Sequence, residues 1–374
     1  MSVPGGADVL ARAAWSGLVE PGDLVAGALV ETLGAVDALD LVAQTAAGKD
    51  VALPRAGRDA RDRLRRSLAG WAARYDQAGP TRALDWAHGL GARLVLPGQP
   101  AWPTALDDLG AARPMCLWVL GTDPADALDR SVAVVGARAC TAYGEHVTAE
   151  LVSGLTDAGV CVVSGGAFGI DAAAHRAALA AEGATVAVLA GGLDRPYPAA
   201  NARLLAEVAR TGALISEVPP GAVPTRHRFL LRNRVIAAAA RLTLVVEAAW
   251  RSGALNPAPH AASLLRPVAA VPGPVTSAAS AGCHRLLRDG AVCVTDAAEV
   301  LELLDGGLVA AEPDRPVLGA DERVVLDALG VRTGSSPEAI TRRCGLALPD
   351  VLAALGRLEV SGRAVHGSGR WRRA

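Results

Sequence analysis

Between residues 132 and 294 the chain repeats one pattern: a short, continuously apolar and β-branched segment, then a stretch long enough for a helix. The apolar segments fall at 132–135, 160–163, 185–189, 214–215, 242–246, 268–271 and 291–294, with helix-length intervals such as 144–158 and 170–181 between them. A strand with one face in water alternates polar and apolar side chains. These segments do not alternate, so both of their faces must be covered. Strands of that kind, separated by helices, form a mostly parallel sheet clad in helices, which makes the fold class α/β.

In an open parallel sheet, ligands bind beyond the carboxyl ends of the strands. Segment 132–135 runs into Gly136-Ala137-Arg138, segment 160–163 into Ser164-Gly165-Gly166-Ala167-Phe168-Gly169-Ile170-Asp171, and segment 185–189 into Ala190-Gly191-Gly192-Leu193-Asp194. Glycine lets the chain turn tightly and lets an anion reach main-chain amides with no Cβ in the way; it can also serve helix–strand packing alone. Three such loops on one sheet edge predict a phosphate-bearing ligand. Neither a P-loop ending in Lys-Ser/Thr nor a Gly-x-Gly-x-x-Gly run is present, so no tightly held ATP, NAD or other cofactor is expected.

The 37 basic and 38 acidic residues nearly cancel, which excludes a globally cationic coat and leaves a local basic groove. One stretch supplies it. Between Glu217 and Glu247 there is no acid, while Arg226, Arg228, Arg232, Arg234 and Arg241 all occur, with Phe229, one of only 2 phenylalanines, among them. Guanidinium groups grip phosphates in a bidentate fashion and an aromatic face stacks an unpaired base, so the combination suits single-stranded nucleic acid. The alternative is that Phe229 begins a buried helix and some of the arginines pair with distant carboxylates.

Outside this core the reading is simpler. Apolar periodicity predicts short helices in a domain over residues 1–91, including 8–16 and 24–36. The core spans 92–305, and a Gly/Pro-rich linker is expected over 306–318. Residues 319–374 then read as three helices, at 322–329, from Ser336, and at 349–358, followed by a short hairpin with Gly362, Gly367 and Gly369, the order of a winged helix. From Asp321 onward nine arginines face six acids, and Arg370, Arg372 and Arg373 flank Trp371. Duplex DNA and a protein partner are both open for this module. No apolar run approaches the roughly 18 residues that span a bilayer and no signal peptide is visible, so no membrane contact and a cytoplasmic location are expected. The 6 cysteines include no Cys-x-x-Cys pair, and Cys161 and Cys293 lie in apolar segments, so buried thiols rather than disulfides or zinc ligands are expected.

The succession Val134-Val135-Gly136-Ala137-Arg138, Ser164 to His175, Gly191-Gly192-Leu193-Asp194-Arg195-Pro196-Tyr197-Pro198, Ser216-Glu217, Phe229 to Ala237, Val246-Glu247-Ala248, Ser252-Gly253-Ala254-Leu255 and Pro272-Gly273 resembles the DNA-processing protein A (DprA, also called Smf) family over roughly residues 92 to 300. The flanking modules are similar to those of many members, a SAM-like helical domain and a winged helix. The resemblance implies an extended Rossmann-like core that binds single-stranded DNA, forms homodimers and loads the RecA recombinase, as in natural transformation, with no chemical reaction. It places Gly136, Arg138, Ser164, Gly165, Gly166, Gly191, Gly192, Arg226, Arg228, Phe229, Arg232, Asn233 and Arg234 at the DNA pocket, the glycines bringing amides to phosphates. Arg232 and Arg234 could instead brace the helix start internally. Four positions depart from the family pattern: Phe168 stands where a basic residue is common, Asn256 for threonine, Leu265 for glycine and His284 for asparagine.

Two other readings have sequence support. Asp171 and His175 sit one helical turn apart, a spacing that suits a metal pair or, equally, a braced loop and a packed histidine. Glu217 and Glu247 each follow a strand and could form the carboxylate pair of a phosphoribohydrolase-like enzyme or nucleotide sensor in the same pocket. The Pro-Gly-Gly-x-Gly-Thr loop of those sugar-cleaving enzymes is absent, and structural carboxylates answering nearby arginines are the other role open to the pair.

Overall fold

A computed structural model describes residues 5–54, 57–306, 319–330, 334–367 and 369–373. The described residues fall into two compact units, one up to residue 306 and one from 319. Apart from Gly306, the expected linker lies outside the described residues.

The first unit is built on a sheet of β1 (Arg93–Val95), β2 (Leu117–Gly121), β3 (Ser131–Val135), β4 (Cys161–Ser164), β5 (Thr185–Leu189), β6 (Ala213–Ser216), β7 (Leu242–Val245), β8 (Val268–Ala270) and β9 (Val292–Cys293). Its order is β1-β2-β6-β5-β4-β3-β7-β8-β9. Every pair from β6 to β9 is parallel, and β2 runs antiparallel to both β1 and β6. The winding therefore reverses at β3, from which the chain builds outward through β4 in one direction and later through β7 in the other. The carboxyl ends of β3 and β7 are thus the switch point of the sheet, the place where ligands bind in open sheets of this kind.

Successive residues of β3 enter opposite layers. Ala133 and Val135 pack with the helix Arg226–Ala239, while Val132 and Val134 pack under the helices Ala142–Asp157 and Ile170–Ala180. Burial on both faces is why the segments read as unbroken apolar runs. β2 was not legible in that rhythm: Leu117–Gly121 is an antiparallel strand with no crossover helix of its own kind, and only its apolar run, centred on Trp118, could have signalled it.

The amino-terminal helices do not stand apart from the sheet. Gly6–Leu18 and Gly79–Gly89 lay Ala13 and Ala87 against Trp118, Leu189 and Leu214, and Trp118 Nε1 donates to Ser16 Oγ at 3.2 Å. The expected helix over 24–36 is two, Leu24–Leu33 and Ala35–Ala46, because Gly34 takes φ 83° and turns the chain between them. Trp15 and Trp71 meet edge to face at 5.3 Å in this layer's own core.

Two expectations about single residues change. Cys161 is buried, but Cys293 is exposed, because β9 is a two-residue edge strand. Leu265 holds φ 55° with its side chain in solvent, so the position does favour the glycine it lacks.

In the second unit, helices Ala320–Ala328, Pro337–Cys344 and Leu348–Val360 precede a hairpin of β10 (Ala364–Gly367) and β11 (Arg370–Arg373). Ser336 caps the second helix by accepting from Ala339 N–H, and Gly345 ends it in the left-handed conformation.

Candidate nucleic-acid interface

The helix Arg226–Ala239 divides along its length. Its last five residues, Val235 to Ala239, are buried against the sheet, whereas its first turns, Arg226-His227-Arg228-Phe229-Leu230, emerge at the carboxyl rim. Thr225 starts it by accepting from Arg228 N–H at 3.2 Å.

At that end an aromatic cluster meets cations. Arg138, exposed three residues beyond β3, places its guanidinium 5.1 Å from the centroid of Phe229, and Arg232 lies 6.0 Å from the same ring. Tyr197 approaches Phe229 at 5.4 Å and is itself 50% exposed. Phe168 is 47% exposed on the loop after β4, beside Gly169, where a Cβ would fall 2.0 Å from Ala137 O. That contact seats the β4 loop against the β3 loop. Both phenylalanines of the chain thus open onto one rim. Tyr197 and Phe168 were not among the expected site residues, although the first lay in a quoted motif and the second was noted as a departure.

The loop glycines are closely packed. At Gly136 a Cβ would meet Ile170 at 2.5 Å, at Gly165 the Arg232 guanidinium at 2.2 Å, at Gly166 Leu205 at 2.8 Å, at Gly191 Pro224 at 2.8 Å and at Gly192 Asp194 at 2.5 Å. Each is needed for packing, the alternative that sequence left open. Two loop amides are engaged within the protein: Ala167 N–H donates to Asp171 at 3.3 Å, and Gly192 N–H donates to Ala222 O at 2.9 Å. The buried Asp171 carboxylate thus braces the β4 loop from inside, one of the two roles its spacing left open. Burial pushes its pKa up, and Arg232 and the loop amides pull it back. Ser164 is likewise internal, its hydroxyl donating to Val134 O at 2.7 Å.

The arginines sort into three groups. Arg138 and Arg226 are exposed. Arg228 is half-buried and bidentate with Glu20, both bonds at 2.9 Å. Arg232 and Arg234 are buried: Arg232 donates to Gly165 O at 2.8 Å and to Val188 O, with its pKa lowered to about 10 by burial, while Arg234 pairs with Glu217. Of the two jobs open to Arg232 and Arg234, both do internal bracing here, and buried Asn233 bonds Asn256 at 3.2 Å. Arg241 lies at the other edge, donating to Asp129 O.

The residues behind the metal and enzyme readings are engaged inside the protein. His175 Nδ1 is 2.8 Å from Thr185 Oγ1, whose own proton goes to Val162 O, so Nδ1 carries the hydrogen and the ring turns away from Asp171. Among the described residues no group of His, Cys, Asp or Glu could hold a metal ion. Glu217 faces Arg234 inside the protein, and buried Glu247 accepts from Thr141 N and Oγ1, both at 2.8 Å. Neither opens onto the rim.

His175 has a consequence for pH. Complete burial lowers its pKa from 6.5 to about 3. As pH falls below 6.5 the unfolded chain takes a proton that the native ring refuses, so stability is lost from there toward pH 3. Each pH unit in that window removes about 1.4 kcal/mol. Urea titrations across the window should show this slope in the wild type, and a shallower one in His175→Gln.

Residues 93–305 match the family described as DNA recombination-mediator protein A, and residues 309–370 match the DprA winged helix domain. A DNA processing protein DprA of Mycobacterium tuberculosis is 46% identical over 374 residues, covering 96% of this chain and 92% of that one. The chain belongs to the DprA/Smf family. Protein Smf of Escherichia coli is 38% identical over 240 residues, 62% of this chain and 64% of its own. The DNA processing protein A of Streptococcus pneumoniae superposes with a TM-score of 0.63 at 30% identity, over 80% of this chain and 98% of that structure. The Helicobacter pylori DNA processing protein A, whose structure concerns its single-stranded DNA binding mode, superposes with a TM-score of 0.52 at 28% identity over 58% of this chain and 96% of that structure. Within the DprA/Smf pattern the remaining departures are accommodated: Asn256 accepts from Asn233, and His284 Nε2 lies 3.0 Å from Gly273 O.

The DprA winged helix of this chain has two contrasting surfaces. The helix Leu348–Val360 exposes Leu348, Asp350, Leu352, Glu359 and Val360 and carries a single arginine, Arg357, which pairs with Glu322. Such a face offers little to read base edges. The wing instead exposes Arg370, Arg372 and Arg373, with Trp371 stacked on His366 at 4.6 Å.

Proposed function

We propose that this protein holds single-stranded DNA at the aromatic rim without altering it covalently and hands it, as a homodimer in the cytoplasm, to a RecA-type recombinase. The carrying observation is the pairing of exposed Arg138 with the partly open Phe229 ring at 5.1 Å, with Tyr197 beside it. Rings stack unpaired bases, which a duplex hides inside itself, and Arg138 and Arg226 supply the phosphate grip. The recombination-mediator family and the strand-binding relative from Helicobacter pylori support the same reading. The rival, a nucleotide-cleaving enzyme, is not favoured because Glu217 and Glu247 are both buried and engaged internally. The wing arginines suit a phosphate backbone, so the winged helix enters this proposal as a sequence-blind accessory to DNA contact or as a protein-docking module.

Fluorescence anisotropy with a labelled single strand and its matching duplex tests the reading. The single strand is expected to bind more tightly. With two to four phosphate contacts, log K should fall against log salt with a slope of roughly −1.4 to −3. Equal affinity for the duplex, or binding indifferent to salt, would count decisively against it.

A further inference from the structure

The same rim carries a second aromatic surface beyond the strand that bears Arg138. Trp250 lies five residues past the end of β7 and is 49% exposed; Trp86 of the amino-terminal helices is also exposed, whereas Trp15, Trp71, Trp102 and Trp118 are all buried. The Arg285 guanidinium is 5.4 Å from the Trp250 ring and that of Arg288 6.0 Å. Arg285 also donates to the Trp250 carbonyl at 3.3 Å, and Arg251 is exposed next to it. The acid at this cluster, Asp289, is 3.9 Å from Arg285; among the described residues no carboxylate pairs with Arg251 or Arg288.

The platform is fixed in place and joined to the first site. Gly282 N–H donates to Ala248 O at 2.7 Å, and a Cβ at Gly282 would lie 2.7 Å from the carbonyls of Ala248 and Ala249, so the helix Ala281–Arg288 sits directly on the segment leading to Trp250. Ala137 N–H donates to Glu247 O at 2.6 Å and Thr141 binds the Glu247 carboxylate, which ties the loop of Arg138 to the loop of Trp250.

We propose that Trp250, with Arg251, Arg285 and Arg288, forms a second base-stacking platform that receives the continuation of the strand held at Phe229 and Arg138. The proposal rests on the strand-binding reading given above. A ring flanked by guanidiniums meets both parts of a nucleotide, base and phosphate. Neighbouring strands lie about 4.8 Å apart; Trp250 follows β7 and its arginines ride the helix after β8, strands one and two places from β3 and three and four from β5, so the platforms are separated by roughly 5 to 20 Å. At about 3.4 Å per stacked nucleotide, some two to six nucleotides bridge that distance.

Strand length is therefore the test. The full chain, Trp250→Ala, Trp250→Phe and Phe229→Ala are titrated with oligothymidylates of increasing length, and each protein's mass in solution is followed by sedimentation. With strands of about two nucleotides, Trp250→Ala is expected to bind like the wild type; beyond about six it should bind roughly fivefold or more weakly, the size of a lost base stack. Trp250→Phe should retain most of the gain with length. Wild-type affinity of Trp250→Ala at every length, or an equal loss at the shortest, would overturn the platform. So would a loss accompanied by a change in mass, which would assign the indole to contact with a second copy or another protein surface. Unaltered binding by Phe229→Ala at all lengths is a separate result and would sink the strand-binding reading itself.

Discussion

Glu217→Gln is expected to destabilise the protein by roughly 3–5 kcal/mol, the range for a buried ion pair that loses one partner. Arg234 is only 5% exposed, its Nη2 bonds Glu217, and among the described residues its Nε and Nη1 have no partner. Glutamine keeps the shape and removes the charge, which leaves a guanidinium in a site that water scarcely reaches. The loss should appear in thermal unfolding as a fall of roughly 5 to 15 °C in Tm. The double replacement Glu217→Leu with Arg234→Met, apolar and of similar bulk, should recover most of it. If Glu217→Gln melts like the wild type, Glu217 is not the main support of Arg234.

Phe229→Ala is expected to weaken single-strand binding by about 1–3 kcal/mol, between roughly fivefold and somewhat over a hundredfold. Because the ring is partly open and backed by Tyr197 at 5.4 Å rather than set deep in the core, the folded state should survive. Arg138→Ala should cost less affinity and reduce the salt slope by about 0.7, the share of one phosphate contact. Since Arg138 lies over the ring, the two changes together should weaken binding by less than the sum of their separate effects. Normal affinity in folded Phe229→Ala would remove the rim from the binding surface.

The parallel core and the winged helix were legible because their signals are local: apolar runs of strand length, a Ser-Pro helix start, glycines at the wing. β2 escaped because it belongs to no strand–helix repeat. The binding rim was half legible. Arg138 and Phe229 stood out by type and position, yet the partners that withdraw neighbouring arginines are remote in the chain. Glu20 lies 208 residues before Arg228, and Gly165 lies 67 before Arg232, separations that no periodicity reveals. The role of the glycine loops was illegible for a related reason. A glycine that admits a phosphate and one that admits Ile170 or Arg232 look the same in sequence, and only the atoms facing the missing Cβ tell them apart.

The helices ahead of β1 roof the antiparallel flank of the sheet, and the loop between the first two supplies the carboxylate that holds Arg228. Trimming the protein to a minimal core would therefore unmask an oily surface around Trp118 and set a tethered cation loose next to the strand-binding ring. Such a fragment would be sticky and more cationic at once, and a rise in its apparent affinity for DNA would report the missing roof rather than a better site.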